Sequence, residues 1–462
     1  VAYATINPYT GKTLKTFPDA TDAEVAQALD QAQAAFERWK TVGFAARTHV
    51  LRQTAKLLRA RSNEYAKILT MEMGKVLAEA EAEVELSAQI LEYYADNAEG
   101  LLAPDRLPSK HPSYTDCWVE HEAQGILLAI EPWNFPYYQI VRIAAPQLAA
   151  GNVIVLKHAS NVPQSAAAFQ ALFREAGLPD GGFTNLYANR DQIKAIIEDP
   201  RVQGVALTGS EGAGAVVASQ AGTALKKSTM ELGGADAFVV LADADIEKAA
   251  KWAVIGRHWN AGQVCCSSKR IIVLAEVYDA FLEKYKAGVA ELKAGDPLDP
   301  STSLAPLSSQ AAADELKAQV AKAVSHGAKV EIIGAAVPET GAFFQPVLLS
   351  MEEDNPAYRW EFFGPVSQVI RAKNEADAIR IANDSPFGLG GSVFTQDVKR
   401  GVEVAKKIST GMVYINHPTG VAADLPFGGV RRSGYGRELV GLGIKEFVNH
   451  KLIAVTDIDG AF

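Results

Sequence analysis

A chain of 462 residues, 48% hydrophobic and 21% charged, is too long for one core and predicts two or three domains, with no run of about 18 apolar residues that could span a bilayer. Its 54 acidic residues outnumber 45 basic ones, and a formal charge of −9 argues against nucleic acid, which requires clustered Lys and Arg; no membrane partner is expected either. Cys117, Cys265 and Cys266 form an odd set with two neighbours, a poor disulfide framework that fits a reducing cytoplasm, and zinc-type ligand spacing is lacking, so no metal site is expected.

In chain order, the opening "VAYATINPYTGKTLKTF" is mixed and polar and does not read as a signal peptide. Thr21-Asp22-Ala23-Glu24 reads as a capping box for a helix through "VAQALDQAQAAFERWK", and the first hundred residues are mostly helical by pattern. "SYTDCWVEHEAQ" alternates like a partly exposed strand. From residue 125 short apolar runs, "GILLAI", "NVIVLK", "VQGVAL" and "AFVVLA", alternate with helical stretches such as "PQSAAAFQALFREAG". Fully apolar strands between helices predict parallel sheets covered on both faces, hence two α/β domains that change over near Gly233–Gly234. The tail "FVNHKLIAVTDIDG" reads as another strand outside both domains, and sheet edges of this kind are often covered by a second subunit.

Four stretches carry candidate chemistry. Free cysteine is usually a buried small hydrophobe, but Cys265 lies in the polar, glycine-containing "NAGQVCCSSKR", which suits a partly exposed loop and a lowered thiol pKa. Glu231 in "STMELGGADAF" stands at a strand end by the domain change, where clefts form, as a base for that thiol; a lone strand-end Glu is otherwise a surface charge. Asn134 in "EPWNFPYY", clamped by Pro132 and Pro136, could aim its amide at developing oxygen charge, or could simply satisfy turn backbone. "ALTGSEGAGAVVA" offers a strand, then Gly209-Ser210, then a helix whose free N–H groups suit a pyrophosphate, although the glycines do not fit G-x-G-x-x-G.

Taken in order, "PWNFP", "ELGG", "GQVC", "EFFGPV" and "PFGG…SGYGRE" resemble the aldehyde dehydrogenase family in sequence and spacing, from about Glu131 to Glu438. The resemblance implies an aldehyde-dehydrogenase-like α/β fold of two doubly wound domains plus a small β oligomerisation element. Residues 1–107 and 126–232 would form the dinucleotide-binding domain, 233–430 the catalytic domain, and 108–125 with 446–462 the oligomerisation strands of a homodimer or homotetramer. It also implies NAD(P)-dependent oxidation of a small aldehyde to an acid: Cys265 as nucleophile, Asn134 as oxyanion donor, Glu231 as base. Relatives that pass the acyl group to coenzyme A often lack this Glu, so a free acid is expected. Lys157 would bind the adenosine ribose, Gly209 and Ser210 the pyrophosphate, Glu361 the nicotinamide ribose, with Phe363 and Trp133 lining that pocket.

Many NAD users of the family carry an acidic residue three positions after the lysine; here it is Ser160, which leaves room for the 2′-phosphate of NADP, while Glu211 works slightly against it, and NAD and NADP are both expected. Arg142, eight positions after Asn134, matches an arginine with which succinate-semialdehyde dehydrogenases hold the distal carboxylate. Those enzymes place a second arginine where Trp259 stands; Arg257 is two positions earlier, and Tyr138 and His417 could complete the substrate pocket. A strained bond between Cys265 and Cys266 is a further expectation as a redox switch. Two rival readings are a thiol hydrolase with His258 as base, and a non-catalytic binding protein.

Overall fold

In the computed structural model, which describes residues 3–460, two parallel sheets dominate; the outermost residues of the expected first and last segments, 1–2 and 461–462, lie outside the described residues. The first sheet runs, in spatial order, Gly434–Tyr435, Lys227–Glu231, Val202–Thr208, Ile126–Glu131, Val153–His158, Phe183–Asn185. The apolar runs form its centre: Ile126, Leu127, Leu128, Ala129, Val153, Ile154, Val155 and Leu156 have no exposed surface, as a parallel strand covered on both faces requires. The chain moves outward from Ile126–Glu131 to Phe183–Asn185, then returns on the other side to Val202–Thr208. That reversal leaves a crevice beyond the carboxyl ends of Ile126–Glu131 and Val202–Thr208, where open α/β sheets take their ligands.

The second sheet runs Lys329–Ile332, Val347–Ser350, Val366–Ala372, Arg270–Leu274, Ala237–Val240, Gly391–Phe394, Tyr414–Ile415, all parallel except its first strand. The expected change at residue 233 falls between Lys227–Glu231 and Ala237–Val240, which join different sheets. Gly434–Tyr435, beyond the catalytic stretch, returns to pair antiparallel with Met230 and Glu231 on the first sheet.

"SYTDCWVEHEAQ" forms the strand Tyr114–Ala123, paired over nine positions with Val448–Thr456 and flanked by Asp105–Arg106 in a separate antiparallel sheet. Most of Val448–Thr456 is exposed. Ahead of it all stand four helices, Asp22–Trp39, Phe44–Ala60, Ser62–Met73 and Leu77–Leu101. Thr21 and Glu24 make the reciprocal capping box, Glu24 N–H to Thr21 Oγ1 at 3.2 Å and Thr21 N–H to Glu24 Oε2 at 2.7 Å, an arrangement that stabilises a helix start by about 1 kcal/mol. The mostly helical reading of this region misses a hairpin, Tyr3–Ile6 with Thr13–Phe17, whose second strand is largely exposed and lacks an apolar run. No helix among the described residues is long and apolar enough to cross a membrane.

Candidate active site

Between the two sheets opens a cleft of about 810 Å³, lined from the first by Pro132, Trp133, Asn134, Gly209 and Ser210 and from the second by Cys265, Glu361 and Phe363. Cys265 sits on the segment joining the helix Ile246–His258 to the strand Arg270–Leu274. The polar composition of that segment does not make it a surface loop. Asn260, Gln263, Ser267, Ser268, Lys269 and Arg270 are buried, and side chains such as Gln263 and Lys269 tie the loop down internally, while Trp259 and Cys265 keep partial exposure. Gln263 Nε2–H donates to the Asn260 carbonyl at 3.1 Å, and its Oε1 accepts from Ser308 N–H at 2.9 Å. The Lys269 ammonium donates to the carbonyls of Val264 and Cys265 at 2.7 and 2.6 Å.

These surroundings correct the expectation of a lowered thiol pKa. The neighbouring Cys266 thiol and burial push Cys265 well above the ordinary value, against the opposing pull of Lys269 and Arg142. Cys266 itself is 1% exposed, its sulfur 4.0 Å from the Thr419 carbonyl oxygen.

Asn134 is buried, and one amide N–H donates to the Gln263 carbonyl at 3.1 Å. That bond fixes the amide plane and leaves its second N–H for the cleft. Glu231, the last residue of its strand, is buried at the cleft wall, and neither carboxyl oxygen has a hydrogen-bond partner among the described residues. Burial, then the adjacent Cys265 thiol, holds this carboxyl far above its usual range, with Arg142 pulling the other way.

The other wall answers to a dinucleotide. Ser210 caps the helix Glu211–Thr223, its side chain accepting from Ala213 N–H at 3.3 Å, and a Cβ built at Gly212 would meet nothing within 4 Å, so the helix start is open to an anion. Glu361 Oε1 accepts from Gly234 N–H at 3.0 Å and from the Lys269 ammonium at 2.9 Å. Gly233 makes this approach possible, since a Cβ there would stand 2.2 Å from Glu361 Oε2. Trp133 and Phe363 meet edge to face at 5.8 Å.

Residues 1–453 match the aldehyde dehydrogenase family. The chain belongs to that family. Members of the aldehyde dehydrogenase family oxidise aldehydes with NAD or NADP. The chain is 47% identical over 452 residues, 98% of its length and 94% of the relative's, to an NADP(+) succinate-semialdehyde dehydrogenase of Deinococcus radiodurans. It is 44% identical to the corresponding NADP(+) enzyme 1 of Mycobacterium tuberculosis, covering 97% and 99% of the two chains. The solved succinic semialdehyde dehydrogenase of Streptococcus pyogenes, in complex with NADP+, superposes with a TM-score of 0.96 at 44% identity over 99% and 100% of the chains.

Not every residue expected at this aldehyde dehydrogenase cleft lies in it. Arg257 is fully buried and holds backbone: its guanidinium donates to the carbonyls of Val366, Gly262, Phe362 and Gly364 and to Ser267 Oγ, so it staples the thiol loop rather than meeting substrate. His417 is exposed and packs on Trp252 at 4.5 Å, away from the cleft lining. Arg142 is not the free cation expected. Among Tyr138, 4.8 Å from its ring, and Phe427, it pairs with Glu438, reaches Glu231 at 3.6 Å and donates to Thr208 Oγ1 at 2.8 Å and Tyr138 Oη at 3.1 Å. Lys157 and Ser160 are half-buried beyond the main cleft, Lys157 5.8 Å from the Tyr3 ring. Glu211 is ion-paired with Arg432, which offsets the negative charge counted against NADP. His258, the base a thiol hydrolase would need, is buried against Tyr285, its ring pushed down to about 3 by burial and outside the cleft.

Sequence reasoning missed Lys269 and the wall contributed by the helix Gln310–Ser325, which brings Glu315, Gln319 and Lys322 to the cleft alongside Trp360. Lys269, four positions after Cys265, could have been found as a cation next to a thiol. The helix residues carry no signal, because only the packing of the second domain turns that face inward.

Proposed function

We propose that this aldehyde dehydrogenase converts succinate semialdehyde to succinate with NADP+. The observation that carries the chemistry is the meeting of Cys265, Glu231 and Asn134, from three separate segments, at one cleft. Cys265 attacks the aldehyde carbon as a thiolate, and the spare Asn134 N–H, with the backbone N–H of Cys265, stabilises the oxygen charge that develops. Glu361 and Phe363 would hold the nicotinamide, which would supply the hydride acceptor needed for the thiohemiacetal on Cys265 to become a thioester. Glu231 then takes a proton from the water that hydrolyses the thioester; its unpartnered carboxyl is free to hold it, and the acid leaves.

For the cofactor, Gly209 and Ser210 receive the pyrophosphate, Glu361 the nicotinamide ribose, and Lys157 the adenosine ribose. Ser160 puts no carboxylate against a 2′-phosphate, which agrees with the NADP+ named for the relatives.

The substrate reading rests on those relatives more than on a waiting cation, because Glu438 and Glu231 already oppose the Arg142 charge. A substrate carboxylate reaches that guanidinium by competing with Glu438. With NADP+ as oxidant, kcat/KM for succinate semialdehyde should exceed that for butanal by about tenfold or more, the equivalent of one charged hydrogen bond. Arg142→Ala should raise KM for the former far more than for the latter. Equal kcat/KM for the two aldehydes would overturn the substrate assignment.

The exposed strand Val448–Thr456, with Leu452 60% and Val455 44% exposed, supports a homodimer or homotetramer assembled through its sheet.

A further inference from the structure

The helix Leu77–Leu101 carries two glutamates one turn apart, Glu79 and Glu83, on the side that faces the two catalytic segments. One oxygen of the buried Glu83 accepts the Tyr137 and Tyr138 N–H groups at 2.8 and 3.1 Å. These are the first-turn donors of the helix Pro136–Ala150, whose N-cap residue Phe135 makes no side-chain cap. The other oxygen takes the fully buried Lys75 ammonium, which also lies 3.6 Å from the centre of the Phe135 ring. Glu83 therefore holds the segment immediately after Asn134.

Glu79 holds the other segment. Both its oxygens accept from Asn260 N–H, at 3.1 and 3.2 Å. Asn260 and Ala261 stand at φ of 50° and 54°, a left-handed conformation that non-glycine residues keep only where their surroundings enforce it. The Asn260 side chain then donates to the Asn134 carbonyl at 3.0 Å, which closes a loop of contacts from Glu79 to Asn260 to Asn134 and, through the Pro136–Ala150 helix start, back to Glu83. None of Lys75, Glu79 or Glu83 lines the cleft.

We propose that Glu79 and Glu83, the latter paired with Lys75, are positioning residues that set the distance between the Asn134 amide and the Cys265 sulfur, so that donor and nucleophile meet the same carbonyl group. Without Glu79 the Asn260 N–H loses its acceptor, the left-handed turn relaxes, and the thiol loop moves relative to Asn134. A shift on the ångström scale at reacting atoms is enough to lower turnover by an order of magnitude or more. Burial pushes the Glu79 carboxyl up to about 7, so a neutral amide acceptor at this place is a fair substitute near neutral pH.

The test uses the full chain with NADP+ and an uncharged aldehyde, so that failure of the succinate-semialdehyde reading leaves it unaffected; it does rest on the roles proposed for Cys265 and Asn134. Glu79→Ala should lower kcat/KM by about tenfold or more, while the NADP+ Kd from fluorescence titration stays within about twofold. Glu79→Gln, which keeps an acceptor oxygen, should recover to within about threefold of the parent. In an Asn134→Ala background the same Glu79→Ala change should cost less than about twofold, because the geometry it protects is already without its donor. Should Glu79→Ala lower the melting midpoint by more than a few degrees, Glu79→Asp, one methylene shorter, carries the same comparison. Parent-like turnover, an equal loss in both backgrounds, or a parallel loss of cofactor affinity would each overturn the proposal.

Discussion

Two adjacent cysteines meet opposite fates within 3.8 Å of backbone. Cys266 is sealed against the Thr419 carbonyl, whereas Cys265 faces the cleft beside Glu231. Both groups are held well above their ordinary pKa, Cys265 by the Cys266 thiol and then by burial, Glu231 by burial and then by the Cys265 thiol. Cys265→Ser should reduce aldehyde oxidation to under about 1% of the parent, since an alcohol is a far weaker nucleophile than a thiol at neutral pH, while Cys266→Ser should retain it within about threefold. Steady-state reduction of NADP+ measures both, and a Cys266→Ser enzyme as inactive as Cys265→Ser would contradict the separation of roles. The same residue-scale logic explains Arg257: a guanidinium surrounded by carbonyl oxygens is structural glue, whatever its sequence distance from the nucleophile.

At the scale of elements, the carboxyl ends of parallel strands do the placing. Thr208 pairs with Glu231 and Glu131 with His158, so four polar side chains stand at the carboxyl ends of an apolar sheet, with Thr208 and Glu231 lining the cleft. His158 fastens the strand Val153–His158 to the helix after Asn134: its Nε2–H donates to the Pro136 carbonyl at 2.9 Å and its Nδ1 accepts from Ala159 N–H at 2.9 Å, a neutral tautomer that burial keeps by pushing the ring down to about 4. An unfolded histidine titrates near 6.5, so above that pH neither state carries the charge and the contribution is complete. As pH falls from about 6.5 towards 4, the unfolded chain binds a proton that the folded ring refuses, and stability is lost. Thermal melts should therefore show a midpoint that drops across this window, and His158→Gln should make the drop shallower. An unchanged slope in the variant would show that His158 is not a source of it.

For the whole molecule, the small sheet of Asp105–Arg106, Tyr114–Ala123 and Val448–Thr456 stands apart from the two α/β layers with an exposed outer strand. Sedimentation should give a dimer or tetramer, and replacing Leu452 and Val455 by Lys should shift it towards monomer; a parent protein that sediments as a monomer would refute assembly through this sheet. Much of the fold was legible beforehand because apolar runs, as in Ile126–Glu131 and Arg270–Leu274, have one stable use in a long chain of alternating strands and helices, between layers of helix. Cys265, Glu231 and Asn134, singled out by the ordered set of motifs that resembles the aldehyde dehydrogenase family, do line one cleft. Arg257 and His417 stand away from the cleft lining, and Arg142 is already charge-paired, because the direction of a long side chain depends on what packs around it, and that partner is distant in sequence: Glu438 for Arg142, Gly364 for Arg257, Trp252 for His417.

The sequence alone thus determined the layered architecture and pointed to the segments that meet at the cleft, since hydrophobic pattern and turn chemistry act over a few residues. Only the tertiary structure decided which polar groups are tools and which are fastenings. Burial and charge pairing are properties of a place, and the places occupied by Lys75, Glu79, Glu83 and Lys269 exist only once segments dozens to hundreds of residues apart have come together.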